Sequence, residues 1–236
     1  FSTDATVKIA RKYTEHVYQK GPERSAQRNY GMIEKAKGEY VMYVDADMVL
    51  SPSLVEEGVE RFEKDKQLVG LYVPLRWVGS HWIIKARGFE REFYDGSVLD
   101  AVRFIKRSIF VDIGGFDVTL YAGEDWDLDK RIRAQGKVDC ISSIMYHYED
   151  ENINLKTYIK KMKYYSPNLH HYVKKWGRND PDVKKQFGIV YRYFIVFLEK
   201  GHWLKILRHP LRFFQMYFLK LLTGIVFLVS RKREKN

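Results

Sequence analysis

The sequence predicts an α/β domain over residues 1–150, with a mostly parallel central sheet, followed by a helical extension over residues 151–236. Three observations carry this reading. Short apolar runs alternate with stretches of helical periodicity through the first part, an order that favours a parallel sheet with right-handed crossovers. From Asn152 onward the periodicity is helical throughout. Charge divides at the same place. Residues 1–150 hold 22 Lys+Arg against 25 Asp+Glu, a net of −3, while residues 151–236 hold 19 against 5, a net of +14.

The elements follow in order. Ser2-Thr3-Asp4 caps a helix expected to run to about residue 20, with Gly21 as its stop. The end of that segment, His16-Val17-Tyr18, reads equally as a short strand. Pro22-Glu23 opens a second helix, with Ala26, Tyr30, Ile33 and Ala36 at helical spacing and Gly38 after it. The β-branched and aromatic run 40–44 is a strand. Ser51-Pro52-Ser53 starts a third helix, to about residue 64, and 68–73 is a further strand. Residues 77–100 mix aromatic and charged side chains and read as helix or loop over a site. Residues 109–117 are turn-rich. Residues 124–135 read as a helix with Trp126, Leu128, Ile132 and Ala134 apolar, and 141–147 as a final strand.

A hydrophobic fraction of 45% is enough for a real core. The single cysteine, Cys140, excludes an intramolecular disulfide framework, fits a reducing compartment and reads as a buried, inert thiol. No Cys/His zinc spacing occurs, and the first residues do not read as a signal peptide. Basic and aromatic residues crowd the extension, among them Trp176, Tyr191, Tyr193, Trp203, Phe213 and Phe214. That mixture points to an anionic membrane surface or to a nucleic acid, and no helix-turn-helix, RNP or zinc-finger signature supports the latter. Residues 213–229 are apolar except for Gln215, Lys220 and Thr223. A charge at its centre and a kink at Pro210 argue against an ordinary span. Amphipathic helices lying in the membrane interface are the favoured reading, against a true span or a helical pair packed on the core.

The most informative stretch is Asp45-Ala46-Asp47 at the end of strand 40–44. Ligands of open α/β sheets sit beyond the carboxyl ends of strands. Two carboxylates there can hold a divalent cation, and the cation a diphosphate, which is the logic of a nucleotide-sugar site. The spacing alone is weak. With 15 Asp in 236 residues, composition predicts about one such pair. Four occur, and only the first follows a strand-like run.

At this point the chain resembles the inverting, metal-dependent glycosyltransferases of family 2, which have a GT-A fold. Phe1-Ser2-Thr3-Asp4-Ala5-Thr6 looks like the tail of that family's D-G-x-S-T-D-x-T turn. Ser25-Ala26-Gln27-Arg28-Asn29-Tyr30-Gly31 is similar to its A-R-N-x-G helix, and Gly38-Glu39-Tyr40 through Asp47 to its G-E-Y…D-x-D. Gly114-Gly115-Phe116-Asp117, then Gly123-Glu124-Asp125-Trp126-Asp127-Leu128 with Arg131, resembles G-G-F-D…G-E-D-x-D-L-x-x-R. The match covers about residues 1–148. It implies a Rossmann-like three-layer sandwich whose first strand, with the Asp of the D-G-x-S turn, is missing here, so that the chain is a fragment.

The resemblance implies roles residue by residue. Asp47 would ligate Mn²⁺ or Mg²⁺. Asp45 would contact the ribose or reach the metal through water, with Ala46 also on the nucleotide, and Arg24 and Arg28 would meet the nucleotide or stand as solvated cations on a helix face. His147 resembles a third metal contact, and an imidazole ligand leans the choice toward Mn²⁺. Its alternative is a hydrogen-bonded histidine at a strand end. Asp125 is the candidate general base, against a plain acidic helix N-terminus. Glu124 would bind the acceptor or orient the loop. Trp126 would form a sugar platform or belong to the core. Gly114 and Gly115 would let backbone approach the sugar, or form a tight turn. Arg107 and Arg131 would balance phosphate or acid charge. The absence of a Q-x-x-R-W segment favours transfer of a single sugar over polymerisation. The expected partners are a nucleotide-diphosphate sugar, a glycan or lipid-linked acceptor and an anionic membrane surface, at the cytoplasmic face. The alternatives are a polyprenyl-phosphate glycosyl synthase, a basic nucleic-acid-binding or membrane-binding module and a catalytically dead scaffold.

Overall fold

The computed structural model describes residues 2–165 and 168–233, and the side chains of 164, 165 and 227–233 lie outside that description, as does Phe1 of the opening motif. The chain runs α1 (Thr6–Ala10), α2 (Arg24–Asn29, continued by a π-helical turn at Tyr30–Lys35), β1 (Tyr40–Met42), β2 (Met48–Leu50), α3 (Leu54–Lys64), β3 (Leu68–Tyr72) and β4 (Leu75–Val78). Then come α4 (Trp82–Arg91), β5 (Val102–Lys106), α5 (Arg107–Asp112), α6 (Glu124–Arg133), β6 (Lys137–Cys140) and β7 (Met145–Tyr148). The extension forms α7 (Leu155–Tyr165), α8 (Leu169–Trp176), α9 (Pro181–Phe187), a π-helical turn (Tyr191–Ile195) leading into α10 (Val196–Leu198), then α11 (Trp203–Arg208) and α12 (Pro210–Arg233).

The expected alternation of helix and strand is present, but the sheet is mixed rather than mostly parallel. Its order is β1-β5-β3-β6. β5 runs antiparallel to both β1 and β3, and only β3 with β6 is parallel. Periodicity missed β5, as it did the short strands β2, β4 and β6. Arg103 interrupts the apolar run of β5, although this side chain is itself buried, with its guanidinium 4.8 Å from the centre of the Tyr43 ring. A second, three-stranded sheet has the order β2-β7-β4. The strand expected at 141–147 is β7, which starts only at Met145, and β6 just before that span was not expected. β6 pairs with β3, and the chain then changes sheets. Glu57 holds the crossing by accepting from the backbone N–H groups of Ser142 and Ser143, both at 2.7 Å.

Helices cover both faces of the larger sheet. On one side Met32, Val41, Tyr43, Val102, Ile105, Phe110, Leu128 and Ile132 form one cluster. On the other Leu54, Phe62, Leu71, Phe104 and Met145 form a second. The first helix is far shorter than expected. It buries no residue, and a helix with no packed face has no tertiary support for further turns. Residues 16–18 are not a strand either. Cys140 is half-buried, and burial pushes its thiol up to about 12, in keeping with an inert group.

The extension packs on the α/β domain. Pro210, expected to kink a helix, is instead the first residue of α12. Along α4, the buried Lys220 ammonium of α12 donates to Glu90 at 2.8 Å and lies 3.2 Å from the Tyr94 hydroxyl, which itself bonds Glu90. Tyr158 of α7 bonds Thr223 at 2.7 Å and accepts from Arg87 at 3.1 Å. Among the described residues no helix is long and apolar enough to cross a membrane.

Burial would raise the Glu90 carboxyl, but Lys220 and Arg87 outweigh it and hold the group at about 2. Its contribution to stability is therefore present above the ordinary glutamate range and is lost as pH falls toward 2. Lys220→Ala strands a buried carboxylate and is expected to cost about 3–5 kcal/mol in chemical denaturation. The double variant Lys220→Met/Glu90→Met, which removes both charges, is expected to lose much less.

Candidate active site

The smaller sheet builds the first part of the site. β2 and β7 are antiparallel with Met48 opposite His147, and the Tyr148 N–H donates to the Asp47 carbonyl at 2.8 Å. This register sets Asp47 Oδ2 3.1 Å from His147 Nε2. Glu149 Oε1 is 4.0 Å from the same nitrogen, and the imidazole stands edge-on against Trp77 with ring centres 5.1 Å apart. No group of three potential ligands is gathered among the described residues. The pair nevertheless fits a divalent ion, because two neighbouring ligands at right angles around Mg²⁺ or Mn²⁺ are about 3.0 Å apart. Ions of this kind are commonly held by one or two protein groups and completed by substrate phosphates and water. Asp45 is not part of the pair.

Helix α2 builds the second part. Its N-cap, Glu23, accepts from the N–H groups of Ser25 and Ala26, both at 2.7 Å. Arg24 and Arg28, one turn apart, point the same way. Arg28 lies over the rings of Tyr43 and Phe116, at 4.7 and 5.2 Å from their centres. It donates to Asp45 Oδ1 at 2.6 Å and to Asp125 Oδ1 at 3.3 Å. Burial alone would raise the Asp45 carboxyl, but the charge and hydrogen bond of Arg28 hold it below the usual aspartate range. One guanidinium thus joins the acid at the end of the β1 segment to the acid at the start of α6.

That helix starts at Gly123, which has φ +79°, and a side chain there would meet Tyr172 of α8 at 3.0 Å. Glu124 is buried and paired with Arg24 at 2.5 Å. Burial and the neighbouring Asp125 charge outweigh Arg24 and push its carboxyl up to about 7. Asp125 is more open. Asp127, fully buried, accepts from Arg131 Nε at 2.8 Å, Trp176 Nε1 at 2.9 Å and Lys175 Nζ at 2.6 Å. Two of those donors come from α8, so the extension braces the helix that carries Glu124 and Asp125.

The structure sorts the remaining expected site residues. Gly115 (φ +67°) forms a tight turn against α2, where Phe116 N–H donates to Asn29 Oδ1 at 2.7 Å and Asn29 Nδ2 donates to Phe116 O at 2.8 Å. A Cβ at Gly115 would lie 2.3 Å from that Oδ1. Gly115→Ala is expected to cost at least about 2 kcal/mol in denaturation, from the left-handed backbone and the displaced bond together. Gly114 (φ +76°) belongs to the same turn. Trp126, partly buried, packs edge-on against Tyr172 and Phe187 and donates to Leu99 O at 3.4 Å. Arg107 donates to Ile33 O, and Arg131 to Ile113 O as well as Asp127, both as structural ties. Ala46 is exposed between the two acids. Periodicity gave no role to Asn29, Tyr43, Asp127, Lys175 or Trp176. Their parts depend largely on contacts between residues far apart in the chain, such as Asn29 with Phe116 and Asp127 with Trp176, 87 and 49 positions apart, which no local pattern encodes.

A family model described as Glycosyl transferase family 2 matches residues 1–118, half of the chain. The matched span includes Arg28, Asp45 and Asp47 and ends before α6. Among solved structures the chain is similar to the crystal structure of S. aureus TarS, at 15% sequence identity and a TM-score of 0.51. That likeness covers 85% of this chain and 38% of TarS, and it is one of fold. No curated protein matches the chain.

Proposed function

The chain belongs to glycosyl transferase family 2, and from that premise we propose that this glycosyltransferase is inverting and divalent-metal-dependent. It moves one sugar from a nucleotide-diphosphate sugar to an acceptor hydroxyl on a glycan or lipid-linked carrier, at an anionic membrane surface on the cytoplasmic face. The observation that carries the reading is Arg28 bridging Asp45 and Asp125, with the Asp47–His147 pair two residues further along the same strand end. Acids suited to a donor and an acid suited to an acceptor therefore converge from distant parts of the sequence.

Asp47 and His147 would hold Mn²⁺ or Mg²⁺, which when bound offsets charge on the leaving diphosphate. Asp45 and Arg28 bind the nucleotide, and Arg28 leaves Asp125 as it does so. Asp125 then takes the proton of the acceptor hydroxyl while the acceptor oxygen bonds to the anomeric carbon and the bond to the diphosphate breaks. Glu124 is buried and paired with Arg24 at 2.5 Å, so it does not compete as a second base.

Calorimetric titration with UDP and GDP, with and without Mn²⁺, tests the donor half. Binding of one nucleotide that requires Mn²⁺ is expected. Binding of neither, with or without metal, contradicts the reading.

A further inference from the structure

Among the described residues the outer face of α12 is largely open, with the Phe218 ring 6.2 Å from that of Trp82 on α4. Its inner face is filled by Met216, Leu219 and the buried Lys220, and the Lys220–Glu90 pair on α4 fixes the rotation of the helix. On the opposite side Leu211, Phe214, Phe218, Leu221 and Ile225 recur at steps of 3, 4, 3 and 4 residues, each 52–70% exposed. Such a repeat forms a continuous ridge, roughly 20 Å long over these 15 residues. The neighbouring segment joins it. Tyr193 donates to the Lys220 carbonyl at 2.8 Å, and next to Tyr193 the side chain of Phe194 is exposed. An exposed apolar surface of this extent marks an interaction site.

We infer that this ridge docks the protein flat onto an anionic lipid bilayer, with one side of α12 on the α/β domain and the other in the headgroup and acyl boundary. It rests on the proposed membrane partner of the extension and is independent of the transfer chemistry. Charge selects this occupant. Residues 200–233 contain eight Lys+Arg and no Asp or Glu; Lys205 and Lys220 are paired with Glu92 and Glu90, while Arg208 and Arg212 are exposed beside the start of the ridge. A heptad-like stripe also suits a second copy. A symmetric pairing, however, would set the same basic segment against itself with no acidic group to answer it. An anionic surface instead gains from each added Lys or Arg. Lys220, which at sequence level counts against a membrane span, is the group that turns the apolar ridge outward.

Vesicle flotation of the full chain tests this, with phosphatidylcholine alone and with phosphatidylcholine carrying 30% phosphatidylglycerol as a stated probe composition. The protein is expected to float with the anionic vesicles and to remain behind with the neutral ones. Phe214→Glu/Leu221→Glu, at exposed positions, is expected to abolish flotation, and Arg208→Glu/Arg212→Glu to weaken it at least tenfold. Both variants are expected to keep wild-type thermal unfolding and Mn²⁺-dependent nucleotide binding. Absence of flotation by the wild type, or equal flotation by wild type and the ridge variant, overturns the inference. So does a wild-type dimer in sedimentation that the ridge variant converts to monomer, since the ridge would then be a contact between copies. Loss of nucleotide binding with flotation intact would contradict the catalytic reading and leave the docking surface standing.

Discussion

Asp125→Asn is expected to lower transfer to a hydroxyl acceptor by about 10²–10⁴-fold, the range for removal of a general base. Nucleotide binding should persist, because Asp45 and Asp47 are unchanged. Asparagine keeps an oxygen that can accept from Arg28, which now bonds Asp125 at 3.3 Å, so the loss should fall on kcat rather than on fold. Half-exposed, Asp125 is unlike its neighbours Glu124 and Asp127, which are buried and committed to internal partners. Steady-state kinetics with a fixed donor checks this. A polyprenyl-phosphate acceptor has no proton to remove, so undiminished turnover by Asp125→Asn would favour that alternative.

Asp47→Ala is expected to abolish metal-dependent turnover, by about 10³-fold or more, since a bound divalent ion supplies several kcal/mol of charge stabilisation and each 1.4 kcal/mol is tenfold. The Asp47 carboxylate is 3.1 Å from His147 Nε2, which is itself 4.0 Å from Glu149 Oε1. Removing the carboxylate leaves the imidazole alone. The Asp47 side chain is 54% exposed and, among the described residues, bonds His147 alone, so the fold should be unaffected. Unchanged denaturation together with lost Mn²⁺ dependence is the expected pair of results.

The parts of this site that were legible in the sequence are those held by local chemistry. Asp45 and Asp47 stood out because they follow a buried apolar run, and Asp125 through its match to the second acid of the family's G-E-D motif. The helices α2, α3 and α6, the strands β1, β3 and β7 and the helical extension were also readable, whereas β2, β4, β5 and β6 were not. Sheet polarity was not, because β5 carries the buried Arg103 within its apolar run and so escaped a pattern that scores polar residues as exposed. The first helix was overextended because capping and composition say nothing about whether a face finds something to pack on. The Arg28 bridge, the Asn29 clasp on Gly115 and the brace from Trp176 to Asp127 join positions far apart in the chain. Each is a consequence of the completed fold, invisible to periodicity. Lys220 shows the same limit in reverse: a lone charge in an apolar stretch reads as a flaw until Glu90 is set beside it.

The most direct test of the central claim is Mn²⁺-dependent turnover of a panel of UDP- and GDP-sugars by the wild-type chain and by Asp47→Ala. The account predicts release of one nucleotide diphosphate from one or a few donors, dependent on Mn²⁺ and lost in the variant. Turnover that ignores both Mn²⁺ and Asp47, or no turnover of any donor, would contradict it.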